Sequence, residues 1–228
     1  MTEKSKTVKE FDPYKEISKQ IRSKKGDKKL YATQLCIILD EAENLFGPRI
    51  DPYPYIFAGI DFELDRPGVR RWGHGEMEHR RSKYIMVQLT RNSVSHNHLA
   101  IWHLAHECIH LLAPSHKQTN YFEEGLATWY QRRWVQKCSA AFPPQYKTMT
   151  YGISAAYGSY LDAYDLVNEL MEHSETSVKR IRKIEPDMRK LTPKIILKVC
   201  PWIEMSVAKE LVKSFPHKAT KSIKEREY

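Results

Sequence analysis

Residues 97–113 read NHLAIWHLAHECIHLLA, and this stretch decides the fold. Its apolar side chains fall on nearly every face of a helix, which predicts a helix buried at the centre of a domain. Within it, residues 106–110 spell HECIH, so His106 and His110 stand four residues apart and share one helix face. Three ionisable side chains on a buried helix are costly unless something compensates them, and a bound metal ion is the simplest compensation.

The HECIH segment predicts a zinc site with a catalytic water. His106 and His110 supply two imidazole ligands, and Glu107 is placed to take a proton from the attacking water. A catalytic zinc ion has three protein ligands and keeps its fourth position for water, so a third ligand must come from elsewhere in the chain. The alternative is a polar stripe that is satisfied by internal hydrogen bonds without a metal ion.

The motif and the segment 122–127, FEEGLA, together resemble the gluzincin branch of the zincin metallopeptidases. In that group the third ligand is a glutamate on a second helix, often within Glu-Gly-x-Ala, which implies Glu124. The resemblance implies that Glu123 either supports the ligands from behind or faces solvent. It covers residues 80–172 and implies a zinc-dependent peptidase that hydrolyses peptide bonds through a metal-bound water activated by Glu107.

A second assignment of the third ligand stays open. Residues 106–116 also approximate HExxHxxGxxH, the longer pattern of the metzincin branch, in which His116 would be the ligand. That pattern has Gly where this chain has Ala113, and Ala113 is further restricted because Pro114 follows it. Glu124 is therefore the predicted ligand and His116 the alternative.

Hydrolysis also needs a group that donates to the tetrahedral intermediate. The resemblance implies a Tyr or His downstream of the glutamate helix, and Tyr157 is the first choice ahead of Tyr151 and Tyr160.

Two neighbours of the motif have simpler interpretations. His103 is interpreted as a hydrogen-bonded core histidine, and Cys108 as a small buried residue rather than a ligand.

The predicted fold class is α+β and zincin-like, mostly helical, with a small mixed twisted sheet packed on the HExxH helix. Residues 30–46 carry an apolar stripe at helical spacing that ends at Gly47-Pro48, and residues 84–90 alternate as in a strand. By the resemblance, this strand lies at the edge of the sheet beside the cleft. An extended peptide would then pair with it.

Charge divides the chain into three predicted regions. The net charge is +9, yet residues 30–177 carry 13 basic and 17 acidic side chains, so the positive charge belongs to the ends. We expect a flexible basic N-terminal extension (1–29), a zincin-like metallopeptidase domain (30–177) and a small basic helical C-terminal region (178–228). The basic ends suit nucleic acid or another anionic surface, although solvated tails are the simpler interpretation.

Location and partners follow from composition. No apolar run approaches the roughly 20 residues that span a bilayer, and the N-terminus lacks the apolar stretch of a secretory signal. The four cysteines form no CxxC pair, which favours a cytoplasmic protein with reduced thiols.

The expected partner is a peptide or protein substrate. Two other functions stay open: a nucleic-acid-associated protein, and a catalytically inactive interaction module.

Overall fold

The computed structural model describes residues 28–50, 55–61, 68–71, 85–90, 97–115, 117–141 and 158–216. Its elements in chain order are α1 (Lys28–Phe46), β1 (Tyr55–Asp61), β2 (Gly68–Arg71), β3 (Ile85–Thr90), α2 (Asn97–Leu112), α3 (Tyr121–Cys138), α4 (Gly158–His173), α5 (Ser177–Ile184), α6 (Pro193–Val199) and α7 (Met205–Leu211). Short 3-10 turns cover Ser139–Ala141 and Met188–Lys190. Residues 1–27 and 217–228, which form most of the predicted N-terminal extension and the end of the chain, lie outside the described residues. Among the helices that are described, none is long and apolar enough to cross a membrane.

Helix α2, which contains the HECIH segment, is the central helix. It packs against α1 on one side and against α3 on another. Most of its apolar side chains are buried, and Leu99 and Trp102 are partly buried, as expected for a helix that is apolar nearly all round. Cys108 is among the buried side chains, and its thiol points to the main-chain oxygen of Leu35 in α1 at 3.8 Å.

The predicted fold class, an α+β zincin-like domain with a twisted sheet packed on the HExxH helix, is wrong. The described chain is mostly helical, with seven α-helices, and helix–helix contacts form the core around α2. The strands are four to seven residues long, and of the described core side chains only Ile85, Val87 and Leu89 come from a strand. The reason is that α2 has apolar side chains on several faces, and neighbouring helices cover most of this surface, with smaller contributions from β2 and β3.

The expectation that residues 84–90 form an edge strand is also wrong. Strand β3 lies between the other two, in the order β1-β3-β2. It pairs in parallel with β1, and Ile85–Gln88 pair antiparallel with β2. Because both sides of this segment are already hydrogen-bonded, a substrate cannot add to it as a further strand.

Two helix boundaries follow from local sequence signals, and the first confirms the predicted end of the helix at Gly47-Pro48. Helix α1 ends at Phe46, and Gly47 follows it with a φ of +92°, a conformation that glycine adopts without strain. Helix α6 begins after Thr192, whose side chain accepts a hydrogen bond from the main-chain N–H of Ile195, and Pro193 stands in its first turn.

The C-terminal helices pack on the domain that carries the HECIH segment. Arg182 of α5 is buried and donates hydrogen bonds to the main-chain oxygens of four residues: Phe46, Gly47, Pro48 and Leu112. Leu112 and Phe46 end α2 and α1, whose last carbonyl groups have no partner within their own helix. A cation is favourable at such a position. Arg182 therefore ties the ends of two helices to the C-terminal region, while the predicted division at residue 178 stays a prediction.

Helices α3 and α4 approach each other most closely at Gly125. A Cβ atom built on Gly125 would meet the main-chain oxygen of Ala163 well inside van der Waals contact and would lie 2.7 Å from Cγ2 of Val167. Main-chain atoms of a packed helix cannot move aside cheaply, so this position requires glycine. The requirement comes from helix packing, since Gly125 has no unusual φ.

Replacing Gly125 with alanine should destabilise the protein by about 3 kcal/mol, which is the upper end of the usual cost of overpacking. For a chain of this size we expect a fall in Tm of roughly 10 °C, measured by circular dichroism. Gly158→Ala is the matched control, because a Cβ atom there meets nothing within 4 Å. Equal Tm values for the two variants would contradict the packing argument.

Candidate metal centre

Three side chains from two helices converge on one point. His106 and His110 come from α2, and Glu124 comes from the first turn of α3. Each offers one ligand atom, and these atoms all lie within 4.8 Å of one another. The Nε2 atom of His106 is 3.3 Å from one oxygen of Glu124, and the Nε2 atom of His110 is 3.6 Å from the other. The structure thus brings together the three residues predicted as ligands, in a group that is able to hold a metal ion.

The second ring nitrogen of each histidine is held by an oxygen acceptor. His106 Nδ1 lies 3.1 Å from the side-chain oxygen of Gln131, and His110 Nδ1 lies 2.7 Å from Oε1 of Glu123. Because these oxygens accept hydrogen bonds, each Nδ1 carries a hydrogen, and Nε2 is the nitrogen of each neutral ring that is able to bind a metal ion. Metal-binding histidines are commonly held in this way, with the outer hydrogen bond fixing both the tautomer and the ring orientation.

The start of α3 is organised around its two glutamates. Glu123 is fully buried and does not face solvent, and its main-chain N–H donates to Oδ1 of Asn120. The Thr119 hydroxyl donates to Oε1 of Glu124 at 2.8 Å. Asn120 and Glu123 have the spacing of a helix cap and its third helical residue, so this part of the arrangement had a signal in the sequence. Gln131 lies two turns beyond Glu124 on α3. In the sequence, only this helical spacing indicated that the two residues share a helix face.

His110 and Glu124 stabilise each other's charged forms. Burial acts to lower the pKa of His110, but the carboxylates of Glu124, Glu123 and Glu107 outweigh it and raise the pKa to about 9. Burial acts to raise the pKa of Glu124, but His110 and His106 outweigh it and lower the pKa to about 2. A metal ion at this group must therefore displace a proton from His110, as is general for histidine ligands.

Glu107 and His103 lie on the same helix as the two histidines that are predicted as ligands. Glu107 is buried, and burial raises the pKa of its carboxyl group, although His110 and His106 oppose the change. A carboxylate with a raised pKa is suited to accept a proton near neutral pH. Burial and then His106 lower the pKa of His103 to about 4, so this imidazole is neutral at pH 7.

Several predicted residues fall outside the described part of the chain. These are Tyr157, Tyr151 and the alternative ligand His116. Tyr160 is described, and its ring centroid lies 6.1 Å from that of His106. Tyr160 also packs on Phe215, with the two ring centroids 4.7 Å apart. Tyr160 is the tyrosine among these three that lies in the described part of the chain, and it is beside the predicted ligand His106.

No protein-family model, no curated protein and no solved structure matches this chain. The described residues therefore define the protein only by class. It is a mostly helical protein with a His-His-Glu group that is able to hold a metal ion. The resemblance to gluzincins stays a hypothesis.

Proposed function

We propose that the protein is a zinc-dependent peptidase in which His106, His110 and Glu124 bind Zn²⁺. One observation carries the proposal: both Nε2 atoms face the same carboxylate, while both Nδ1 atoms are bonded to oxygen acceptors behind them. Two imidazoles and one carboxylate suit zinc, and three protein ligands are the usual number at a catalytic zinc site. Mg²⁺ and Ca²⁺ prefer sites made of oxygen ligands, so the donor set favours zinc over these ions.

The residues around the site have separate tasks in the proposed reaction. When bound, a zinc ion supplies a Lewis acid that polarises a carbonyl group and acidifies water. Glu107 takes the proton from the attacking water and passes it to the leaving amine, so Glu107 is an ionised carboxylate again at the end of the reaction. Gln131 and Glu123 hold the two imidazoles in place before any substrate arrives, which spares the cost of ordering them during the reaction.

Stabilisation of the tetrahedral intermediate is proposed for a tyrosine. Tyr157 keeps this role as the sequence-based choice. Tyr160 is the alternative that the described geometry supports, because its ring lies beside that of His106. Either phenol would act by donating a hydrogen bond to the developing negative charge.

The substrate and the location are part of the same proposal. A peptide or protein substrate is inferred from the resemblance of residues 80–172 to gluzincins, and so is peptide-bond hydrolysis. A cytoplasmic location is inferred from the spacing of the four cysteines.

Protein purified without chelator or nickel resin should contain about one zinc ion per chain, as expected for a three-ligand site. Elemental analysis by mass spectrometry measures this directly. His110→Ala should lose the metal, whereas His173→Ala, an exposed histidine at the end of α4, should retain it. Wild-type protein that neither contains zinc nor takes it up on addition would overturn the proposal and favour an interaction module.

A further inference from the structure

Arg189 joins both ligand-bearing helices to the C-terminal region. Its Nη2 donates to Oε1 of Glu123 at 2.7 Å, and its Nη1 donates to the main-chain oxygen of Ala113 at 2.6 Å. Oε1 of Glu123 is also the atom that accepts from His110 Nδ1, at 2.7 Å. One carboxylate oxygen is therefore held between the guanidinium group of Arg189 and the imidazole of His110. The side chain of Arg189 is only 6% exposed, so solvent contributes little to these contacts.

The two acceptors of Arg189 belong to the two helices between which the metal would lie. Ala113 directly follows α2, which carries His110, and Glu123 stands next to Glu124 at the start of α3. A guanidinium group is planar and presents its donors in a rigid fork, so it sets the separation of the groups that it bridges. Arg189 thereby links the end of α2 to the start of α3 on the His110 side of the site.

Arg189 is itself firmly placed. It lies in the 3-10 turn Met188–Lys190, and its main-chain N–H donates to the side chain of Asp187 at 3.1 Å. The main-chain oxygen of Met188 accepts a hydrogen bond from Asn120, the residue that caps α3, at 2.8 Å. The turn and the start of α3 are therefore bonded to each other independently of the guanidinium group.

We propose that Arg189 is a positioning residue for the ligand His110 and that it acts through Glu123. The inference rests on the metal site proposed above. Without Arg189, Oε1 of Glu123 loses one of its two donors, so the carboxylate is less firmly placed and holds the His110 ring less firmly. An opposite expectation follows from charge alone. Removing a positive charge near a cation site would strengthen cation binding, so the direction of the change separates the two effects.

The test is zinc affinity, measured by competition with a chromophoric chelator, for wild type, Arg189→Met and Arg189→Lys. We expect Arg189→Met to bind Zn²⁺ about tenfold more weakly, the lower end of the effect of outer-shell partners. Arg189→Lys retains the charge but cannot make the two bonds of the fork, so it should also bind more weakly than wild type. If Arg189→Met does not fold, Arg189→Lys still decides the question against wild type.

Arg182→Met is the matched control. Arg182 is also a buried arginine of the C-terminal region, and it also bonds to the end of α2, through the main-chain oxygen of Leu112. Its hydrogen bonds go to main-chain oxygens and not to Glu123. Arg182→Met should lower thermal stability while the folded protein keeps the zinc affinity of wild type.

A spectroscopic measurement separates positioning from a loss of stability. Co²⁺ replaces Zn²⁺ at such sites and absorbs visible light in a way that depends on ligand geometry. At saturating Co²⁺ the spectrum of Arg189→Met should differ from that of wild type, and the spectrum of Arg182→Met should not. If both Arg189 variants bind Zn²⁺ as tightly as wild type or more tightly, the positioning role alone is overturned. Wild-type protein that binds neither Zn²⁺ nor Co²⁺ would overturn the metal site and this inference together.

Discussion

Glu107→Gln should lower peptidase activity by about 10²–10⁴-fold while the protein keeps its zinc, because general base catalysis typically contributes that much. The amide has nearly the shape of the carboxylate but cannot accept the proton of the attacking water. Zinc should remain because Glu107 is not among the three residues whose ligand atoms converge. The buried position of Glu107 means that the nearly isosteric change avoids a cavity.

The measurement combines zinc content with cleavage of a quenched fluorescent peptide library. Glu175→Gln is the control, since it makes the same chemical change in a side chain that is 68% exposed, and it should cleave at the wild-type rate. Equal activity of wild type and Glu107→Gln would show that this site does not perform the cleavage. A zinc-loaded wild type that cleaves no member of the library would favour a metal-binding module without turnover.

Glu124→Ala should weaken zinc binding by more than the roughly 10–100-fold that outer-shell partners contribute. Glu124 is the carboxylate that both imidazoles face, at 3.3 Å and 3.6 Å, and its removal leaves only two ligands. The loss should be greater than for Glu123→Gln. Glu123 contacts His110 Nδ1 on the side away from Glu124, and so affects the metal only through the ligand.

Zinc affinities of Glu124→Ala, Glu123→Gln and His116→Ala measure this order. His116→Ala tests the alternative ligand directly and should bind zinc as tightly as wild type. The circular dichroism spectrum of each variant confirms that a loss of metal is not a loss of fold. If His116→Ala loses zinc while Glu124→Ala retains it, the ligand assignment is wrong.

The candidate site could be predicted in part because part of it is local. His106, Glu107 and His110 lie on one helix, where a separation of four residues determines a shared face. Glu124 required a comparison of motifs, because nothing within residues 117–141 by itself says which glutamate faces the histidines. Glu123 was predicted only as a supporting or solvent-facing residue. It is the buried partner of His110, and this follows from the packing of α3 on α2.

The fold class could not be predicted from the same kind of evidence. The alternation in residues 84–90 correctly indicates a strand, and Ile85, Val87 and Leu89 are buried on one face. An alternating pattern does not say how many strands will pair, or whether helices or a sheet will cover the central helix. Here mainly helices cover it, and β3 lies in the middle of its three strands instead of at the edge.

The sequence by itself determined the features that depend on residues close together in the chain. The buried helix α2, the spacing of its two histidines, the end of α1 at Gly47 and the start of α6 after Thr192 all follow from local periodicity and capping. Only the tertiary structure decided the close approach of α3 and α4 at Gly125. It alone also decided the contact between Arg189 and Glu123, which are 66 residues apart. Such contacts depend on how whole helices pack, because no local preference links residues so distant in the chain.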